Sequence, residues 1–154
     1  MTNHTILLDT LDTAIGVYID KIARALHIQW GDKMPGSALE NWSEINEVDE
    51  NTIKNDIDRW KLARPLGDKK NNVLAFSFSG IRTFIECIVE RNITDFNDED
   101  KKSLGRAAQI LIFEHVADKT VRGIKATAKQ LEGTLVVSGG VACNLALRNM
   151  YLIS

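Results

Sequence analysis

The chain has 154 residues, 44% hydrophobic and 26% charged, with 19 basic against 21 acidic side chains and a net charge of −2. That suits one soluble globular domain with an ordinary core, and no run approaches the ~18 apolar residues that would span a membrane. Cys87 and Cys143 have no disulfide-framework spacing, no targeting leader is visible, and the charge balance argues against a chain that holds nucleic acid alone through a broad basic surface.

In chain order, Ile6 to Leu8 reads as a short strand. Leu11, Ile15, Ile19, Ile22 and Leu26 then recur at three- and four-residue steps. That spacing predicts one amphipathic helix from Leu11 to about His27, with Asp9 or Thr10 as N-cap. Trp30 to Gly36 reads as a loop ending in Met34-Pro35-Gly36-Ser37, followed by a short helix with Leu39, Trp42 and Ile45 on one side. Residues 44–72 are acidic and polar, then interrupted by Pro65, Gly67 and Asn71-Asn72. They read as a loop-rich surface excursion holding a helical turn or two.

Val73 to Phe78 reads as extended, and Ser79 as the N-cap of a helix to about Glu90 with Ile81, Phe84, Ile85 and Ile88 inward. Asp98, Glu99 and Asp100 place acid at the start of a long helix, as its dipole favours, running to about Gln130 and stopped by Gly133. Leu135 to Ser138 reads as a strand, Gly139-Gly140 as an open turn, and Ala142 onward as a helix. The fold class read from this order is α/β, helix-rich, without internal repeats.

A strand, a glycine pair and a helix N-terminus can present backbone N–H groups to a phosphate or ribose, with glycine allowing close approach. The same sequence also makes a plain tight turn. Asp12, Gly16 and Asp20 fall at four-residue steps on one helical face. A glycine inside a helix costs about 1 kcal/mol relative to alanine, which a ligand against the backbone would explain. The alternative pairs Asp20 with Arg24 and uses Gly16 only for helix packing. Gly36 marks a second glycine at a helix entry, and Asn144 either bonds a sugar hydroxyl or caps its own helix. His4, His27 and His115 form no metal spacing, Cys143 has no identifiable histidine base, and Ser138-Gly139-Gly140 lacks a nucleophile-elbow frame.

Four stretches occur in a recognisable order: "LLDTLDTAIGVYIDKIARAL", "MPGSALE", "FSFSGIRT" and "VVSGGVACNLALR". Together they resemble blocks of the tRNA N6-adenosine threonylcarbamoyltransferase family, which older usage calls glycoproteases or O-sialoglycoprotein endopeptidases. The resemblance covers essentially the whole chain. It implies a partial actin/Hsp70/sugar-kinase-like ATPase fold, its middle-to-late part, with the N-terminal lobe missing. Residues 1–154 would then be one partial domain, with 44–72 as an excursion within it.

The resemblance also implies an activity and a site. The complete protein would transfer the threonylcarbamoyl group from threonylcarbamoyl-AMP to N6 of adenosine 37 in tRNAs reading A-starting codons, binding tRNA transiently. Asp20, Gly36 and Asn144 would match the family positions that hold the adenosine and ribose. Gly139 and Gly140 would form the nucleotide-cradling turn, and the reading of Gly16 as room for a ligand against the helix fits beside them. One divalent metal, iron or zinc, is implied for the complete protein, its ligands in an H-x-x-x-H pair and a T-D-N motif outside this sequence. No catalytic or metal-ligating residue is identified within the chain itself.

Thr13 and Val17 stand where bacterial members carry acids, which resembles the mitochondrial branch and implies a mitochondrial location over a cytoplasmic one. Pro35-Gly36-Ser37 departs from the usual glycine pair. A homodimer is compatible with all of this, and no membrane partner is expected. The alternative function is a non-catalytic nucleotide-binding or interaction domain derived from the family. The older protease assignment finds no catalytic triad here.

Overall fold

The computed structural model describes residues 5–66, 73–91, 95–127 and 134–153. Six α-helices make up the described residues' regular structure: α1 (Ile15–Ala25), α2 (Pro35–Trp42), α3 (Glu50–Trp60), α4 (Ser79–Arg91), α5 (Asp98–Thr127) and α6 (Leu145–Ile153). A 3₁₀ turn, Gly140–Cys143, precedes α6.

The long helix α5 is the centre. Every residue from Ser103 to Phe113 is buried, so apolar contact surrounds this stretch instead of lining one stripe. Leu104, Ala107, Ala108 and Leu111 share one core with Ile22 of α1, Leu26 just after it, Leu39 of α2 and Ile81 and Ile85 of α4. Gly105 sets the approach: a β-carbon there would stand 3.2 Å from a Leu39 methyl and 3.3 Å from one of Leu26. Helices α1 and α2 therefore reach α5 at the point where it is thinnest.

Most polar groups in this buried stretch are partnered, the Gln109 Oε1 being without a partner among the described residues. The Arg106 guanidinium, 3% exposed, donates to Asp56 at 2.6 Å, to the Ser43 carbonyl at 3.0 Å and to Glu99 at 3.1 Å. Ser103 donates to the other Asp56 oxygen at 2.6 Å, and Trp60 donates to Ser103 at 2.8 Å. This network docks α3 onto α5. Residues 50–60 thus form a packed helix and not the surface excursion expected there. Asp49 caps it by accepting from the Thr52 amide at 2.7 Å, and Lys61 ends it in the left-handed region at φ 48°. Residues 67–72, the end of the expected excursion, lie outside the described residues.

The expected strands do not form among the described residues. Ile6 and Leu7 are exposed, as are Leu135, Val136 and Val137. A run of β-formers becomes a strand only when a neighbour completes its ladder of backbone hydrogen bonds, and among the described residues no such neighbour lies alongside. One parallel bridge remains, between Thr10 and Phe76, in which Leu11 donates to the Phe76 carbonyl at 2.8 Å and Phe76 to that of Asp9 at 2.9 Å. The extended reading of Val73 to Phe78 is realised as this one bridge.

Helix α1 starts at Ile15 and not at Leu11, and its N-cap is Ala14 with no side-chain bond, not Asp9 or Thr10. Thr10 and Asp12 hold the intervening residues in a local turn: Thr10 donates to the Thr13 carbonyl at 3.1 Å, and Asp12 accepts from the Thr13 amide at 3.0 Å. Asp12 is thereby outside the helix and off the Gly16–Asp20 face. Its carboxylate instead accepts from the Ser77 hydroxyl at 2.9 Å and from the Phe78 and Ser79 amides at 3.0 and 3.1 Å. This caps α4 from a distant part of the chain, where Ser79 had been expected to cap it alone. Burial raises the Asp12 pKa, but the Phe78 and Ser79 amides, the Ser77 hydroxyl and the Thr13 amide outweigh it and hold the carboxyl at about 2.

Candidate functional site

Residues from three separated blocks line one open cavity of about 360 Å³. Helix α1 supplies Gly16, Ile19 and Asp20, the start of α2 supplies Met34, Gly36, Ser37 and Glu40, and the turn before α6 supplies Gly140, Val141, Cys143 and Asn144. Five of the six residues singled out from the sequence are among them. Gly139 adjoins the cavity in sequence without lining it, at φ +102° with open space around it.

Asp20 and Gly36 touch. The carboxylate Oδ1 of Asp20 accepts the Gly36 amide at 2.9 Å, in the first turn of α2, where helix N–H groups lack internal partners. Gly36 is thus not in the loop but inside the helix, after Pro35 at its favoured first position. A side chain there would be crowded, since a β-carbon would stand 3.0 Å from an Ile19 methyl and 3.2 Å from Asp20 Oδ1. Arg24, the alternative partner for Asp20, lies instead with its guanidinium 5.4 Å from the centroid of the Trp30 ring. The second Asp20 oxygen is left without a partner among the described residues.

Gly16 meets a methyl of Val141 at 3.4 Å from where its β-carbon would be, so it serves packing against the turn as well as opening the cleft. Asn144 caps α6: its Oδ1 accepts from the Ala146 amide at 3.0 Å and the Leu147 amide at 3.3 Å. The capping alternative is therefore realised, and Asn144 still lines the cavity. The helix expected from Ala142 is split, with a 3₁₀ turn to Cys143 and the α-helix beginning at Leu145. Asn144 stands at that break in extended conformation.

Glu40 was not singled out from the sequence. Its Oε1 accepts from the Leu145 amide at 2.9 Å and from the Asn46 side chain at 2.9 Å. It ties the α2 wall to the start of α6 and so sets the width of the cleft. Its position one helical turn after Gly36 was the available signal.

The lining therefore offers two carboxylates, exposed glycine backbone and apolar flanks from Ile19 and Val141, with no cationic side chain among the described residues. Carboxylates beside exposed backbone suit the hydroxyls of a sugar and the donors of a base. The first N–H groups of the turn at Gly140 lack internal partners and can face an anion. Cys143 is exposed at the rim, and no histidine is among the lining residues. Among the described residues no three His, Cys, Asp or Glu side chains converge on a metal position.

The profile of the family described as tRNA N6-adenosine threonylcarbamoyltransferase matches residues 2–153. A relative in Schizosaccharomyces pombe, named as the mitochondrial enzyme of that description, is 35% identical over 153 residues. The match takes in 97% of this chain and 35% of the relative. Enzymes of the same name from Herminiimonas arsenicoxydans and Buchnera aphidicola are 33% and 32% identical over 145 residues. Each match covers 94% of this chain and 37% of the relative, so the chain spans little more than a third of the curated relatives' length.

Proposed function

The chain belongs to the tRNA N6-adenosine threonylcarbamoyltransferase family, and we propose that it supplies one wall of an adenylate cleft in a complete transferase. The reaction would move the threonylcarbamoyl group from threonylcarbamoyl-AMP to N6 of adenosine 37 in tRNAs reading A-starting codons. The nitrogen attacks the carbamoyl carbon, the bond to the phosphate oxygen breaks, AMP leaves, and the N6 proton passes to solvent. The observation that carries this reading is the convergence of Gly16, Asp20, Gly36, Gly140 and Asn144 on one cavity from positions up to 128 residues apart (144 minus 16).

In this reading the free Asp20 oxygen accepts a ribose hydroxyl, Gly16 and Gly36 leave room for the sugar and base, and the turn at Gly139-Gly140 faces the phosphate. Asn144 caps α6 just after that turn and presents its amide to the ligand. The contribution is orientation and electrostatics, without a covalent nucleophile. The described residues do not form a metal site by themselves, and no step of this wall runs through one. The iron or zinc of the complete protein is proposed to be held by residues outside this sequence. On the same footing, the six helices are taken as part of an actin/Hsp70/sugar-kinase-like lobe. A mitochondrial location is proposed from Thr13, Val17 and the name of the fission-yeast relative as a mitochondrial enzyme.

The test uses the full product of the locus, with threonylcarbamoyl-AMP, unmodified tRNA and mass spectrometry of the nucleosides. Asp20→Ala is expected to abolish most modification while the protein stays folded. A fully active Asp20→Ala enzyme would remove the cleft from the reaction.

A further inference from the structure

A second hollow lies on the neighbouring flank of α1. Between α1 and α4 a groove of about 360 Å³ is lined by Lys21, Arg24, His27, Arg82 and Glu86, with Glu90 in the last turn of α4. It joins, through Arg24 and His27, a hollow of about 340 Å³ lined by Trp30. Three fixed cations thus face two carboxylates, and Arg82 is engaged with Glu86 at 2.8 Å. Lys21 and Arg24 make no ion pair among the described residues. Each is held over a ring: Lys21 Nζ lies 5.4 Å from the Tyr18 centroid and the Arg24 guanidinium 5.4 Å from that of Trp30.

We propose that this groove is an auxiliary RNA contact in which Lys21 and Arg24 grip one or two backbone phosphates. A guanidinium beside a ring keeps its planar fork of N–H donors, and that fork matches a phosphate. Arg24 is exposed and Trp30 half-buried, so together they also offer a plane on which an unpaired base can stack. Lys21 follows Asp20 by about 100° around α1, so an RNA held here lies beside the cleft and not in it. A chain of net charge −2 would use such a patch as a local grip and not as its whole means of binding RNA. The choice of RNA among polyanions rests on the transferase reading.

The experiment measures a fluorescent anticodon stem–loop RNA against the chain by anisotropy, over a range of salt. Lys21→Gln with Arg24→Gln is expected to weaken binding about tenfold. It should also flatten the log–log salt slope by about 1.4, at ~0.7 per single-strand phosphate. Arg24→Lys, which keeps the charge and loses the fork, is expected to weaken it about threefold and guards against a folding defect in the double variant. Lys54→Gln with Lys125→Gln changes the charge equally at exposed positions on α3 and α5 and is expected to leave binding unchanged. An equal loss in that control, or no binding by the unaltered chain at low salt, overturns the proposal. Neither result touches the Asp20→Ala test, which judges the transferase reading separately.

Discussion

Replacing Gly36 by alanine separates the two ways this glycine can matter. Helix propensity alone favours the change by at most about 1 kcal/mol, and by less in a first turn. Against that, the new β-carbon would stand 3.0 Å from an Ile19 methyl and 3.2 Å from Asp20 Oδ1. Ile19 is 3% exposed, and its β-branched side chain has essentially one rotamer in a helix, so it cannot swing away. The carboxylate is held in place by the Gly36 amide itself. Overpacking of this kind costs about 1–3 kcal/mol, and stretching the amide bond adds to it. Gly36→Ala should therefore destabilise the chain by about 1–2 kcal/mol, read as a lower urea midpoint at unchanged slope. Gly16→Ala is the control, because its β-carbon meets Val141 at an ordinary 3.4 Å. It should stabilise the chain by about 0.5 kcal/mol and weaken nucleotide binding in the complete protein by filling the cleft. If Gly36→Ala stabilises as much as Gly16→Ala, the α1–α2 spacing is not set by that glycine.

Asp56→Ala leaves Arg106 buried without its main partner and should cost about 3–5 kcal/mol in denaturant unfolding. Glu114→Ala, which breaks the exposed Arg64–Glu114 pair, should cost less than about 1 kcal/mol, and equal losses would mean that α3 is not docked. His115 is pushed down from 6.5 to about 4 by burial first and the Lys119 charge second, with Asp118 and Asp12 pulling weakly the other way. The unfolded chain takes up a proton between those values that the folded chain does not, so stability should fall as pH drops from about 6.5 to about 4. The loss is at most about 3 kcal/mol, and His115→Gln should flatten that window in pH-dependent melts. Asp20→Ala should cost about 1 kcal/mol of stability by stranding the Gly36 amide. Asp20→Asn, which keeps the acceptor, should cost little in thermal melts, and identical losses would show that the Gly36 bond contributes nothing.

Helices were legible wherever apolar spacing alone decides them. The Ile15–Ile19–Ile22 steps, the Ile81–Ile85–Ile88 stripe and the acidic start at Asp98 all lie on helices where expected. Helix α3 was missed because its acids and asparagines dominate the composition. Yet Ile53, Ile57 and Trp60 follow each other at four and three residues and pack against the core. The strands failed for a different reason. Leu135 to Val137 has β-forming side chains, but a strand is a property of two segments, and the spacing within one cannot reveal whether the other is alongside. The Asp12 clasp on Ser77, Phe78 and Ser79 was equally hidden, since it joins residues 65 to 67 positions apart.

Most of the site was legible as single residues but not as a mechanism of assembly. Gly16 and Asp20 were selected for lying on one face, Gly36 for a helix entry, and Asn144 for a first turn. Nothing in those spacings said that Asp20 would cap the helix that begins beside Gly36. That bond changes what Asp20 is: a residue with one oxygen committed to architecture and one left for a ligand. Glu40 has the same division, with Oε1 fixing the start of α6 while the side chain lines the cavity. Both walls of the cleft are therefore held by the carboxylates that face into it. A substitution at either residue acts on shape and chemistry together, and only the isosteric amides, which keep the oxygen acceptor, can divide the two effects.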